Sequence, residues 1–96
     1  MPAFERLARF DRDLEALTPE QRAAFLTAVR KFVDDLVAER GFRKGLRVKG
    51  VRGAEGIFEL TWAPNGRATF SYGKWINGNE PHIVWRRVGT HEVIGK

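Results

Sequence analysis

From Thr18 onward the chain has a helical rhythm. Phe25, Val29, Phe32 and Leu36, with Val33 and Val37 beside them, recur three and four apart, while Arg22, Arg30, Lys31, Asp34 and Asp35 fall mostly outside that stripe. Thr18-Pro19-Glu20-Gln21 supplies the start: Thr18 caps, Pro19 takes the first helical position, where no intrahelical hydrogen bond is lost, and Gln21 completes a capping box. Gly41 supplies the stop, so the pattern predicts a helix over about 19–40. Upstream, Phe4, Leu7, Phe10, Leu14 and Leu17 are spaced by three, three, four and three. That spacing predicts a shorter amphipathic helix and leaves no place for a strand before Phe10. The short link between the two patterns predicts an antiparallel helical hairpin whose apolar stripes need a further surface to cover them.

After Gly45 the period changes to two. LRVKGVR (46–52), GIFELTW (56–62), RATFSYG (67–73) and HIVWRRV (82–88) predict four strands. Asn65-Gly66 is a hairpin signal, and Gly73 to Pro81 reads as a longer, mobile loop. Phe58, Leu60 and Trp62 alternate with Ile57, Glu59 and Thr61, and Ala68, Phe70 and Tyr72 alternate with Arg67, Thr69 and Ser71. One face therefore buries under the helices and the other stays wetter. Helices first and strands afterwards is the order of an α+β fold. The expectation is one domain over 1–96, with the helical hairpin at about 4–40 and the sheet at about 46–93.

Composition narrows the chemistry. Ninety-six residues, 43% of them hydrophobic, suffice for one core and exclude a two-domain enzyme. The absence of cysteine removes disulfides, thiolate nucleophiles and Cys-based zinc sites together. MPAFERLARFDRDLEAL mixes acids and bases through its apolar positions and offers neither a signal-peptide core nor a membrane span. A soluble cytoplasmic protein without a membrane partner is expected. The net charge is +5, unevenly spread: residues 1–45 carry nine Lys/Arg against eight Asp/Glu, and residues 46–96 carry eight against four. The second half thus holds most of the attraction for an anionic partner, nucleic acid first and an acidic protein second, with plain solubility as the bland alternative.

The wetter strand face gathers candidate chemistry. Arg47 and Lys49 share one face of the first predicted strand, Glu59 and Thr61 of the second, Arg67, Thr69 and Ser71 of the third, with Arg87 on the same side if the fourth strand stays regular. Such a grouping reads as a phosphate cradle with one carboxylate in it. Cleaving RNA without a metal needs a group to take the 2′-hydroxyl proton, cations to offset charge on the phosphorane-like transition state, and a donor for the departing 5′-oxygen. His91 suits acid or base work because its reference pKa lies near neutrality, and Arg67 has the fork for two phosphate oxygens. Lys49 and Arg47 suit charge stabilisation, Glu59 suits orienting a base or acting as one, and Trp75 in the loop suits base stacking. Each has a structural alternative: a polar tail residue for His91, a partner for Glu59 in Arg67, a solvated lysine in Lys49, a loop anchor in Trp75. His82 and His91 lack a clear third ligand, so neither a metal nor another cofactor is expected.

The order helix, helix, basic strand and three further strands, with LRVKGVRG at 46–53, RATFSYG at 67–73 and VWRRVGTHEVIGK at 84–96, resembles the RelE/ParE superfamily of toxins from type II toxin–antitoxin systems. The similarity runs over about residues 10–93 and is most specific at Arg87-Val88-Gly89-Thr90-His91 read together with the basic strand. The resemblance implies two N-terminal helices packed on one face of a curved four-stranded antiparallel sheet. It implies an mRNA-cleaving, metal-independent endoribonuclease acting at the ribosome and neutralised by a cognate antitoxin. Under it, His91 is catalytic, Arg67 binds the scissile phosphate, and Arg47, Lys49 and Arg52 are the basic residues of the first strand. This chain departs from YafQ-like members at Lys49 and Trp62, where they carry further histidines and an acid, and ends with Ile94 and Gly95 where many relatives have an aromatic. Two other readings stay open: a ParE-like protein that inhibits DNA gyrase without chemistry, and an inactive relative that only binds its antitoxin.

Overall fold

The computed structural model describes residues 3–73 and 81–94. Its elements are β1 (Ala3–Arg6), α1 (Ala8–Ala16), α2 (Pro19–Ala38), a 3₁₀ turn (Lys44–Leu46), β2 (Lys49–Gly50), β3 (Ile57–Ala63), β4 (Gly66–Tyr72), β5 (His82–Thr90) and a one-turn helix α3 (His91–Ile94). The strands form one sheet in the order β1-β5-β4-β3-β2.

The helix start at Thr18 is local chemistry and forms as its residues dictate. The Gln21 N–H donates to Thr18 Oγ1 at 3.1 Å and the Thr18 N–H donates to Gln21 Oε1 at 2.8 Å, with Pro19 at the first position. At the other end Glu39, not Gly41, takes the left-handed capping position (φ 55), its N–H donating to Asp35 O.

The sheet has five strands and is mixed, a correction to the expected four antiparallel ones. β1 lies parallel to β5 with Ala3 opposite His82 and Arg6 opposite Trp85, and the Leu7 N–H donates to Trp85 O at 3.1 Å. The helix expected over 4–17 accordingly starts only at Ala8. Phe4 keeps the helical spacing by coincidence: it sits opposite Ile83 on the edge strand and stays 45% exposed. The first predicted strand is also mostly absent. Of 46–52 only Lys49 and Gly50 pair, with Glu59 and Phe58, because Leu46 turns into the core (3% exposed) and Arg47 adopts φ 49.

The remaining strands follow their alternation. β3 and β4 form a hairpin closed by Pro64-Asn65, with Ala63 opposite Gly66. Gly66 is required by contact, since a Cβ there would lie 2.5 Å from the Trp62 ring. The core is aromatic. Trp85 meets Phe10 of α1 at 5.9 Å, Phe25 and Phe32 of α2 at 5.9 and 5.3 Å, and Phe70 of β4 at 5.7 Å. Leu60, Ala68, Ile83 and Val88 complete it, all essentially inaccessible. No helix among the described residues is long and apolar enough to cross a membrane.

Candidate functional site

Directly opposed residues in a ladder project to the same face, so the register assembles the open face in rows. One row is Thr61, Arg67 and Gly89; the next is Lys49, Glu59, Thr69 and Arg87. Continuing the β2–β3 register backwards would set Arg47 beside Thr61. The left-handed backbone at Arg47 ends the ladder there instead, and such a conformation costs roughly 1–2 kcal/mol for a residue with a Cβ. The chain peels away from β3, and a groove of about 440 Å³ opens in the gap, lined by Lys44, Arg47, Val48, Lys49, Thr61 and Arg67. Three sequence-predicted cations, Arg47, Lys49 and Arg67, thus share one concavity.

Sequence reasoning missed Lys44, because the strand was expected to begin at 46; the signal was the cation spacing of Arg43, Lys44, Arg47 and Lys49 in FRKGLRVK. Charge compensation in the groove is slight. Lys49 Nζ lies 3.6 Å from Glu59 Oε1 with its side chain 70% exposed, a pair worth little in water. Glu59 itself is not part of the lining.

His91 and Arg67 converge on the hairpin turn. Arg67 Nη1 donates to Gly66 O (2.9 Å), Pro64 O (3.3 Å) and Ala63 O (3.4 Å), and the His91 N–H donates to Asn65 O at 2.8 Å. The four consecutive carbonyls 63–66 are therefore all engaged by these two residues. The His91 side chain is exposed and is not among the groove's lining residues; the residue sits at the hairpin end of the same sheet. A second clamp holds it there, with Asn65 Nδ2 donating to Glu92 Oε2 at 2.8 Å. That hydrogen bond, followed by a backbone N–H, the Thr90 hydroxyl and the charge of His91, holds the Glu92 carboxyl below its ordinary value. Glu92 was not singled out in the sequence and Asn65 only as a hairpin residue, since only the fold makes residues 27 apart neighbours.

Two expected members, Arg87 and Arg52, stand apart from the groove. Arg87 is committed to α1: its Nε donates to Asp13 Oδ2 at 2.9 Å, and the same carboxylate accepts the Val88 N–H at 3.2 Å. The hydrogen bond to Asp13 raises the Arg87 pKa further above its usual value. By register Arg87 keeps its place in the row beside Thr69, but its guanidinium is taken by Asp13 and does not line the groove. Arg52 lies exposed in the turn before β3, at the opposite end of that strand from the hairpin. Trp75 lies outside the described residues. His82 opens β5 and pairs with Glu5 of β1 at 3.0 Å. Among the described residues no group of three His, Asp or Glu is placed to hold a metal ion.

A smaller depression, about 310 Å³, lies between α2 and β3. Its cations are Lys31 and Arg43, and Arg43 is already paired with Asp35 at 2.8 Å. The candidate site is therefore the groove beyond it, where four cations gather around a single loose ion pair, Lys49 with Glu59.

A five-stranded sheet whose first strand runs parallel to its last, with two helices ahead of the remaining strands, gives this chain the fold of solved RelE- and YafQ-type toxins. The E. coli DinJ–YafQ complex superposes over 100% of both chains with a TM-score of 0.70 at 11% identity. A metal-bound toxin from Helicobacter pylori matches 98% of this chain and 99% of its own with a TM-score of 0.67 at 19% identity. The RelB–RelE antitoxin–toxin complex from Methanococcus jannaschii matches 95% and 94% with a TM-score of 0.62 at 16% identity. No family model and no curated protein sequence matches the chain.

Proposed function

We propose that this protein is a toxin of a toxin–antitoxin pair, a metal-independent endoribonuclease that cuts messenger RNA at the ribosome. The observation that carries the reading is the hairpin turn of β3 and β4, which ties Arg67, a wall of the cationic groove, to the residue bearing the one exposed imidazole among the described residues. In this reading the groove holds the sugar–phosphate chain. Arg67 grips the scissile phosphate with donors other than the Nη1 engaged by the turn, Lys49 offsets the charge that grows on the phosphorane, and Arg47 holds the RNA backbone beside it. The 2′-oxygen attacks the adjacent phosphorus, the 5′-oxygen departs, and a 2′,3′-cyclic phosphate remains. His91 serves as the acid or the base of that exchange.

The structures it resembles include toxins solved with their antitoxins, which supports a cognate antitoxin as partner. Phe4, Leu26, Val37 and Tyr72, all large and exposed, offer apolar contact to an antitoxin tail that folds on binding.

The test is inducible expression of the wild type and of His91→Ala, with mapping of cellular RNA ends and a gyrase supercoiling assay on the purified proteins. General acid–base groups contribute roughly 10²- to 10⁴-fold, so His91→Ala should lose cleavage by that factor while melting at the wild-type temperature. Undiminished cleavage removes His91 from the mechanism. Inhibited supercoiling with no new RNA ends replaces the nuclease by a gyrase inhibitor.

A further inference from the structure

The segment from Phe42 to Arg47 is fixed from three directions. Leu46 is buried in the core, Phe42 stacks on Phe32 with centroids 4.7 Å apart and planes 5° from parallel, and Arg43 is pinned to α2. The Arg43 backbone N–H and Nε donate to Asp35 Oδ2 at 2.8 and 2.9 Å, and its Nη2 donates to Asp35 Oδ1 at 2.8 Å. Between these anchors the Leu46 N–H donates to Arg43 O and the Arg47 N–H donates to Lys44 O, both at 3.1 Å. Arg47 completes the turn at φ 49, ψ 45, a conformation that residues other than Gly, Asn and Asp rarely adopt.

Neither Lys44 nor Arg47 recovers that strain through its own side chain. Among the described residues neither side chain makes an ion pair or hydrogen bond, yet both line the groove opposite Arg67. Two uncompensated cations, presented by a rigid turn in a strained backbone, match a site organised in advance for an anion. The lining also lacks any aromatic ring, amide or carboxylate among its described residues, so the groups that could meet a base are the same cations that grip phosphate and the Thr61 hydroxyl.

We propose that Lys44 and Arg47 form a second phosphate-binding pair beside Lys49 and Arg67. The groove then holds the backbone of a single-stranded polyribonucleotide across more than one phosphate and, with its cations taken up by phosphate, is blind to the bases. The inference rests on the nuclease reading and sharpens it: any sequence preference in cleavage arises outside this groove.

Binding of the full chain to fluorescent 2′-O-methyl oligoribonucleotides, which lack the attacking hydroxyl, tests this by anisotropy across a salt series. For single strands log K falls with log salt by about 0.7 per phosphate neutralised. Lys44→Ala and Arg47→Ala should each flatten that slope by about 0.7, and weaken A-, C- and U-rich strands by the same factor. Lys49→Ala and Arg67→Ala are the reference arms. If only the reference arms flatten the slope, the second pair is refuted and the nuclease reading stands. If none of the four does, the groove is not the RNA site and both fail. A loss confined to one base composition overturns the base-blind groove. Arg47→Gly should flatten the slope as Arg47→Ala does but melt at a higher temperature, since glycine takes the left-handed backbone without a Cβ. A melting temperature no higher than that of Arg47→Ala refutes the strained turn.

Discussion

On the helix side of the sheet, Trp85 has four aromatic rings with centroids 5.3 to 5.9 Å from its own, supplied by α1, α2 and β4. On the groove side, Lys44, Arg47, Lys49 and Arg67 share a concavity with a single exposed ion pair among them. The first region is assembled so that removing any part leaves a hole. The second is assembled so that like charges stay close and hydrated, an arrangement that adds nothing to stability and suits the polyanion proposed for it. Stability and binding should therefore separate by side, and substitutions can break or sharpen that division.

The largest stability effect belongs to Trp85. Trp85 is 5% exposed and its ring meets rings of α1, α2 and β4, so Trp85→Ala should cost about 3–5 kcal/mol. Urea unfolding followed by circular dichroism measures this, and a loss under 1 kcal/mol would mean the core is not centred there. Lys49→Ala, on the other side, should stay within about 0.5 kcal/mol of wild type in the same titration.

Arg87 sharpens the division because it belongs to the groove side by sequence and to the helix side by contact. Its guanidinium and the half-buried Asp13 carboxylate are mutually satisfied, and Asp13 also holds the Val88 N–H. Arg87→Ala leaves that carboxylate without its cation and should cost about 1–2 kcal/mol. The salt slope of RNA binding should not change. A flattened slope with unaltered stability would move Arg87 back into the groove.

What the sequence made legible follows the range of the interaction that fixes it. The capping box at Thr18 and Gln21 joins residues three apart, and the alternation of Leu60, Ala68 and Phe70 reports burial directly; both could be read. β1 could not. Its four residues carry one large apolar side chain, fit the helical spacing equally well, and become a strand only by pairing with β5, nearly the whole chain away. The same distance hides the pairing of Arg87 with Asp13, which lie 74 residues apart. Within the site, Arg47, Lys49 and Arg67 were legible as cations of a wet strand face. Lys44 was not, because its position depends on Arg47 taking a backbone conformation that its residue type does not announce. The position of His91 was not legible: its attachment to Asn65 exists only once β4 and β5 are in register.

The smallest effect tests the anchor between the two sides. The Asp35 carboxylate accepts three hydrogen bonds from Arg43, chiefly from the guanidinium and then from the backbone N–H, and these lower its pKa from 3.8 to about 2. A carboxyl whose folded pKa is depressed binds protons more readily once unfolded. Its contribution to stability is thus present in full above about pH 4 and is lost as the pH falls towards 2. The pair is exposed, so the effect is small and salt should shrink it. Asp35→Asn should abolish this part of the acid dependence while leaving the neutral melting temperature slightly lower. The consequence for the groove is more telling than the stability. With its tether to α2 weakened, the turn carrying Lys44 and Arg47 loses rigidity, so RNA binding by Asp35→Asn should weaken at neutral pH with the salt slope unchanged: the same cations engage, but from a less ordered start. A variant that binds as the wild type does would show that Leu46 and the Phe42–Phe32 stack hold the turn without Asp35.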